Sequence, residues 1–244
     1  MELILDIGNT RIKYATFSKG LLDNKGYCSD NELKALLNYF SGQATSVLVS
    51  TVKPLENELE ELLKKLPIKV HYLSSKLKMP FINKYNTPQT IGADRLALAA
   101  GGFLSFPNRN VLIIDIGTCI TFDIISKEGV YLGGNISPGL KMRLKSLHKF
   151  TGKLPLVELN IPTDLIGTTT EQSILSGVVN GVLMELDGII DAYKLRYPQV
   201  KTILTGGDVA FFDKKLKNSI FADADVLLKG MHFILEHNSH ENNE

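Results

Sequence analysis

Two stretches place a carboxylate where an apolar strand would be expected to continue: LILDIGNTRIKY at residues 3–14 and LIIDIGTCITFD at residues 112–123. Each run ends on an aspartate, Asp6 or Asp115. Each then turns through a glycine, Gly8 or Gly117, with Asn9 and Thr10 or Thr118 behind it, and resumes as an alternating strand. A carboxylate desolvated alone costs several kcal/mol, so each needs a partner. A metal-bound phosphate is one such partner. Gly8 permits close backbone approach, the amides and side chains of Asn9 and Thr10 can donate to phosphate oxygens, and Lys13 adds a positive charge. A tight turn capped by its own aspartate is the other reading of either motif alone. The pair, separated by 109 residues from Asp6 to Asp115, favours two hairpins clamping one polyphosphate.

Between them lies TIGADRLALAAGG, where Gly92-Ala93-Asp94-Arg95 opens a helix. A carboxylate at a helix N-terminus is stabilised by the dipole and the free amides, which is one account of Asp94. The other makes Asp94 a general base for an attacking hydroxyl and Arg95 a planar clamp for a substrate carboxylate, as phosphoryl transfer to an alcohol requires. Spacing alone leaves both open. Late in the chain, KTILTGGDV ends a strand on Thr205-Gly206-Gly207, where a turn without side chains would let a purine and its ribose lie against the backbone. Neither G-x-x-x-x-G-K-[ST] nor a G-x-G-x-x-G opening a helix after the first strand is present, which lowers P-loop and Rossmann readings.

The elements that must position these residues follow from periodicity. Strands are expected at 2–7, 11–17 and 20–27, then a helix at 31–41, a strand at 46–52, a helix at 55–65 and a strand at 68–74. A loop rich in Asn, Pro and Thr over 80–90 leads to a helix at 92–105, broken by Phe106-Pro107-Asn108, the expected hinge. From 110 the order restarts: strands at 110–115, 119–126 and 130–136, a helix at 138–148, a long helix at 170–195, the strand KTILTGG, a short helix, a strand at 220–226 and a last helix from 228. The expectation is an α/β protein of two related domains, residues 1–106 and 107–244, facing each other across a cleft. The polar end, HNSHENNE, is expected to be a frayed tail from about 238, with His237 and His240 in solvent.

Composition sets limits. The chain has 244 residues, 44% hydrophobic and 22% charged, and its 27 basic and 26 acidic side chains leave a net charge of +1. That balance gives no whole-chain electrostatic case for nucleic acid or an anionic membrane. No uninterrupted apolar run approaches the ~20 residues of a membrane span, and no secretory signal is expected. Cys28 and Cys119 are too few for a disulfide framework, so a reducing cytoplasm is the expected setting.

Taken in order, DIGNTRIK, GADR, DIGTCITFD, GGNISPGL (133–140), TGKLP (151–155) and TGG resemble the type III pantothenate kinases, members of the acetate and sugar kinase, heat-shock chaperone and actin superfamily. The resemblance runs from residue 2 to about 235. Each phosphate hairpin is specific only to the superfamily, whereas G-x-D-R together with GGxIxPG is far narrower. It implies duplicated ribonuclease H-like (actin-like ATPase) domains, each a mixed sheet with flanking helices. It also implies ATP-dependent phosphorylation of pantothenate, the first step of coenzyme A synthesis.

By the same resemblance, Asp6, Ile7, Gly8, Asn9, Thr10, Arg11, Ile12 and Lys13 would form the first ATP-phosphate motif, with Asp6 indirectly on the Mg²⁺ side. Thr118 would touch ATP from the second motif, and Asp115 would ligate a monovalent cation, potassium or ammonium. Gly92, Ala93, Asp94 and Arg95 would hold pantothenate, with Asp94 as proton acceptor. Tyr85 and Thr170 match substrate-contacting positions; without the family, Tyr85 reads as a packed loop residue and Thr170 as a helix cap. Family members are typically homodimers, which would put Thr170 at the interface and make the long helix its face. Cys119 stands where the family often has a small residue and fits as packing. A same-fold kinase for another alcohol or sugar, or a catalytically silent regulatory relative, are the alternatives. Intact Asp94 and Asp115, and the lack of a basic patch or helix-turn-helix pattern, count against the latter.

Overall fold

The computed structural model describes residues 1–8, 11–51, 55, 57–74, 76–161 and 164–240, and for His240 the backbone only. The chain divides into two compact units. Unit 1 takes Met1–Ser105, Gly129–Tyr131 and the chain from Asp225, and unit 2 takes Phe106–Glu128 and Leu132–Ala224.

Unit 1 is built on β1 (Glu2–Ile7), β2 (Ile12–Ser18), β3 (Leu21–Cys28), α1 (Asp30–Phe40), β4 (Ser46–Thr51), α2 (Asn57–Lys65) and β5 (Lys69–Tyr72). The sheet order is β3-β2-β1-β4-β5, with β1 antiparallel to β2 and parallel to β4. A central strand is covered on both faces, which is why β1 reads as a continuous apolar run, with Leu3, Ile4, Leu5 and Ile7 buried. α1 begins in a capping box: Ser29 accepts from the Glu32 amide, and the Glu32 carboxylate accepts from the Ser29 amide at 2.7 Å. Leu33, Leu37 and Phe40 recur at helical spacing and seal one face of the sheet. Next come β6 (Ile82–Asn83), a 3₁₀ turn at Pro88–Thr90 and α3 (Ala93–Ser105). β6 lies in the stretch expected to be loop and pairs parallel with Val130–Tyr131, residues of unit 1.

Unit 2 repeats the plan with β7 (Val111–Ile116), β8 (Cys119–Ile125), β9 (Val130–Pro138), α4 (Leu140–Lys149), α5 (Thr170–Arg196), β10 (Lys201–Thr205) and β11 (Phe221–Ala222). Its strands run β9-β8-β7-β10-β11, the same order as in unit 1. The expected short helix is a 3₁₀ turn at Val209–Phe211. The expected strand at 220–226 shrinks to β11, because the Asp225 carbonyl accepts from the Lys229 amide at 2.9 Å and starts the last helix, α6 (Val226–His240), early. Helix α5 is long and apolar enough to cross a membrane, a candidate that uninterrupted runs fail to reveal because Gly and Asn punctuate it. Its Ile174, Val178, Val182, Leu186 and Ile190 are instead buried in the unit 2 core.

The cut expected at 106/107 falls beside the observed boundary at Ser105/Phe106, but α6, grouped by sequence with the second half, belongs to unit 1. It packs on α3 at backbone contact: a Cβ on Gly230 would meet the Ala97 carbonyl at 1.9 Å, and one on Gly101 would meet the Val226 carbonyl at 2.1 Å. The expected fray from 238 is likewise replaced by helix through His240. Asn238 donates to the Lys78 carbonyl at 2.9 Å, and His237 is half-buried rather than in solvent. The last four residues of the expected tail lie outside the described residues.

Candidate functional site

In unit 1 the strands bring charges into register. Asp6 pairs across β1–β2 with Lys13 and across β1–β4 with Ser50. The Lys13 ammonium stands 4.0 Å from the carboxylate of Asp6, a residue only 7% exposed. Burial pushes the Asp6 carboxyl above the usual carboxylate range. The Lys13 ammonium and the Ser50 hydroxyl pull it back, and the charge of Asp94 pushes it up again. Asp94 is therefore close enough for its charge to be felt at Asp6, and the structure joins Asp6, Lys13 and Asp94 in one group. Ser50 escapes sequence reading; the signal that could have found it is its place near the end of SVLVST, parallel to β1.

The turn after Ile7 is closed by the Gly8 amide donating to the Arg11 carbonyl at 3.2 Å, so Gly8 shapes the loop and keeps no amide for a ligand. Arg11 is exposed, its guanidinium 5.0 Å over the Tyr27 ring, while Ile7 and Ile12 are buried core residues. Asn9 and Thr10 lie outside the described residues.

The start of α3 fixes the other half of the unit 1 group. Asp94 accepts from the Arg95 amide at 2.8 Å, a local cap that holds the carboxylate at the first turn. A Cβ on Gly92 would come within 2.4 Å of the Asp94 Oδ1, so that carboxylate position requires glycine there. Arg95 is buried, with its guanidinium 5.6 Å over the Tyr85 ring. Tyr85 is positioned by its amide donating to the Asn83 side chain at 2.9 Å and by the neighbouring Tyr131 ring at 6.2 Å. Ala93 is the first residue of the helix.

Unit 2 carries the second group. Asp115, near the end of β7, is flanked in register by Thr121 and Thr205. Directly opposed residues share a sheet face, and the buried Thr121 hydroxyl has no hydrogen-bond partner. Gly206 has φ +106, and a Cβ there would approach the Asp115 Oδ1 to 2.4 Å. Glycine at 206 thus keeps open the space beside that carboxylate, and nothing lies within 4 Å of a Cβ built on Gly207. The Gly117 amide donates to the Cys119 carbonyl at 3.0 Å, and the Gly139 amide donates to the Thr118 carbonyl at 3.1 Å. Gly139 reveals what GGNISPGL is for: a Cβ there would strike the Gly117 carbonyl at 2.2 Å, so the cap of α4 must be bare to seat the hairpin. Thr170 is exposed in the first turn of α5, where the cap is Thr169, whose hydroxyl accepts from the Gln172 amide at 3.2 Å. No hydrogen bond joins Thr170 to the Asp115 hairpin among the described residues.

The fold class is shared with solved structures. The chain matches a Campylobacter jejuni protein described as a conserved putative Baf family transcriptional activator at a TM-score of 0.63 and 23% identity, covering 98% of this chain and 99% of that one. It matches a putative 2-dehydro-3-deoxygalactonokinase from Sinorhizobium meliloti at a TM-score of 0.61 and 9% identity, over 97% of this chain and 99% of that one. These likenesses, with the twice-repeated strand order, define a duplicated ribonuclease H-like fold of the actin-like ATPase kind.

The family is narrower than the fold. The family model of the type III pantothenate kinases matches residues 2–192. A type III pantothenate kinase from Christiangramia forsetii is 46% identical over 242 residues, covering 98% of this chain and 99% of the relative. One from Bacteroides fragilis is 43% identical with the same coverage. The chain belongs to the type III pantothenate kinase family.

Proposed function

We propose that this chain transfers the γ-phosphoryl group of ATP to the terminal hydroxyl of pantothenate, using Asp94 as the base. Family membership supports the overall reaction, which yields 4'-phosphopantothenate in coenzyme A biosynthesis. The observation that carries the residue roles is the unit 1 group, in which Asp94 sits at a helix start within electrostatic reach of Asp6 and beside the buried Arg95.

Asp94 accepts the hydroxyl proton as the pantothenate oxygen forms its bond to the γ-phosphorus and the bond to the departing ADP breaks. Arg95, backed by the Tyr85 ring, takes the pantothenate carboxylate through its planar fork. Gly92 and Ala93 let the substrate approach the backbone. Lys13, about a third exposed, turns its ammonium to the phosphates, and the Asn9–Thr10 turn is assigned the same phosphates. Arg11 forms the outer edge of that turn. Thr118 serves the ATP phosphates from unit 2, and Gly206-Gly207 serve the purine and ribose.

A buried carboxylate with its ionisation suppressed fits a cation, so Asp6 is assigned the Mg²⁺ side. Asp115, with the bare Thr121 hydroxyl and the space kept by Gly206, is assigned a monovalent cation, potassium or ammonium. These ions supply positive charge to the phosphates when bound.

The chain acts in this reading as a cytoplasmic homodimer with α5 at the interface and Thr170 at the pantothenate site. Exposed Leu165, Ile166 and Met184 of unit 2 support that face. Met184→Glu is expected to shift the sedimenting species toward monomer; an unchanged dimer removes α5 from the interface. The reaction itself is tested by ADP release from the purified chain. Release should depend on pantothenate and rise with potassium, and a hexose panel should give none. Absence of ADP with either cation overturns the reading.

A further inference from the structure

Apart from the residues treated above, unit 2 holds a cavity of ≈ 570 Å³ lined by Phe106, Arg109, Lys194, Lys201, Thr202 and Phe221, among others. It opens where β10 begins, whereas Gly206 follows the other end of that strand. At ~3.3 Å per residue, Thr202 and Gly206 are roughly 13 Å apart. The cavity is therefore distinct from the Asp115 group.

Its chemistry is one-sided. Arg109, Lys194 and Lys201 contribute positive charge, and no aspartate or glutamate is among the lining residues. The Lys194 ammonium donates to the Asn218 side-chain oxygen, and Asn218 in turn donates to Asp187 and Asp191; Asp191, which also feels the Lys194 charge, pairs with Lys217 at 2.8 Å. Phe106 and Phe221 meet edge to face at 5.5 Å and form an apolar wall.

We infer that this cavity binds a phosphate ester carrying an apolar or aromatic body. Arg109, Lys194 and Lys201 take the dianion, and the body lies against Phe106 and Phe221. A cluster of cations suits a dianion better than a single carboxylate. The volume suits one small molecule, whereas a polynucleotide needs an extended basic track. The inference stands whether or not the residue roles assigned to pantothenate phosphorylation hold.

The test uses the isotope-labelled full chain titrated with phenyl phosphate and followed by amide chemical shifts. Saturable shifts at Lys201, Thr202, Ser219 and Phe221 are expected, with none from phenol at the same concentrations. Arg109→Gln combined with Lys201→Gln should weaken the apparent affinity about tenfold. The double variant should retain ADP release with pantothenate, which separates this site from the catalytic one. Shifts confined to the Asp6 and Asp115 hairpins, equal affinity in the double variant, or no saturable shift at millimolar probe would each overturn the proposal.

Discussion

The two hairpins share the letters DIG and are nevertheless different devices. In the first, Ile7 pairs with Ile12 across a four-residue loop, and Asp6 therefore faces Lys13. In the second, Ile116 pairs with Ile120 across a three-residue loop, and Asp115 faces Thr121. Had the second loop matched the first in length, Phe122 would stand opposite Asp115, because a one-residue slip turns every side chain to the other face. The residue after the second isoleucine, Lys13 in one hairpin and Thr121 in the other, therefore decides what faces the aspartate. The aspartate of unit 1 faces a lysine, while that of unit 2 lies in register between Thr121 and Thr205. Two similar carboxylates thus stand in different surroundings.

The largest effect tests whether either hairpin aspartate is the base. Asp94→Asn should preserve fold and ATP binding and lower kcat by about 10²-fold or more. Near-normal turnover would remove Asp94 from that role and collapse the division of labour. Next, Asp115→Asn should reduce activity in potassium to the wild-type rate without it, whereas any residual rate of Asp6→Asn should keep its stimulation ratio. Equal loss of stimulation in both variants would show that the hairpins do not differ.

Gly206→Ala is expected to cost about 1 kcal/mol or more in unfolding free energy, since its φ of +106 disfavours any side chain and the new Cβ would crowd Asp115. Potassium stimulation should fall with it; full stimulation would show that the space beside Asp115 is not the cation's.

The smallest effect concerns stability. The Asp6 carboxyl titrates above its unfolded value, so folding favours its protonated form, and that contribution is lost as pH rises through the folded-state value. Asp6→Asn should therefore raise Tm at pH 7, by about 2–4 °C for a change near 1 kcal/mol in a chain of this length. The gain should vanish below the unfolded carboxylate range. A lower Tm at pH 7 would mean that Lys13 and Ser50 outweigh burial.

Much of this was legible beforehand. The buried central strands announced themselves as LILDI and VLIID, and G-x-D-R located the start of α3, because apolar runs and helix starts are local properties of sequence. What depends on distant partners was not legible. Ser50 beside Asp6 follows from strand pairing, and Gly139 under Thr118 follows from the way α4 meets the hairpin. The cap at Thr169 rather than Thr170 turned on which hydroxyl faces the Gln172 amide. The allegiance of α6 was hidden for a similar reason, although the small residues Ala97, Gly101 and Gly230 carried the trace of a helix pair in backbone contact.

That helix pair has a consequence for how the molecule is made. Helix α6 closes onto α3, more than a hundred residues upstream, with all of unit 2 threaded between them. During synthesis the amino-terminal unit is the first begun and the last completed. Its Ala-Gly surface on α3 waits for α6 until residues 226–240 have been made, while unit 2 has every one of its own residues earlier. A stop codon before Val226 would leave unit 2 whole and spare every residue assigned to chemistry, yet it would strip the cover from the helix that begins at Ala93 and carries Asp94.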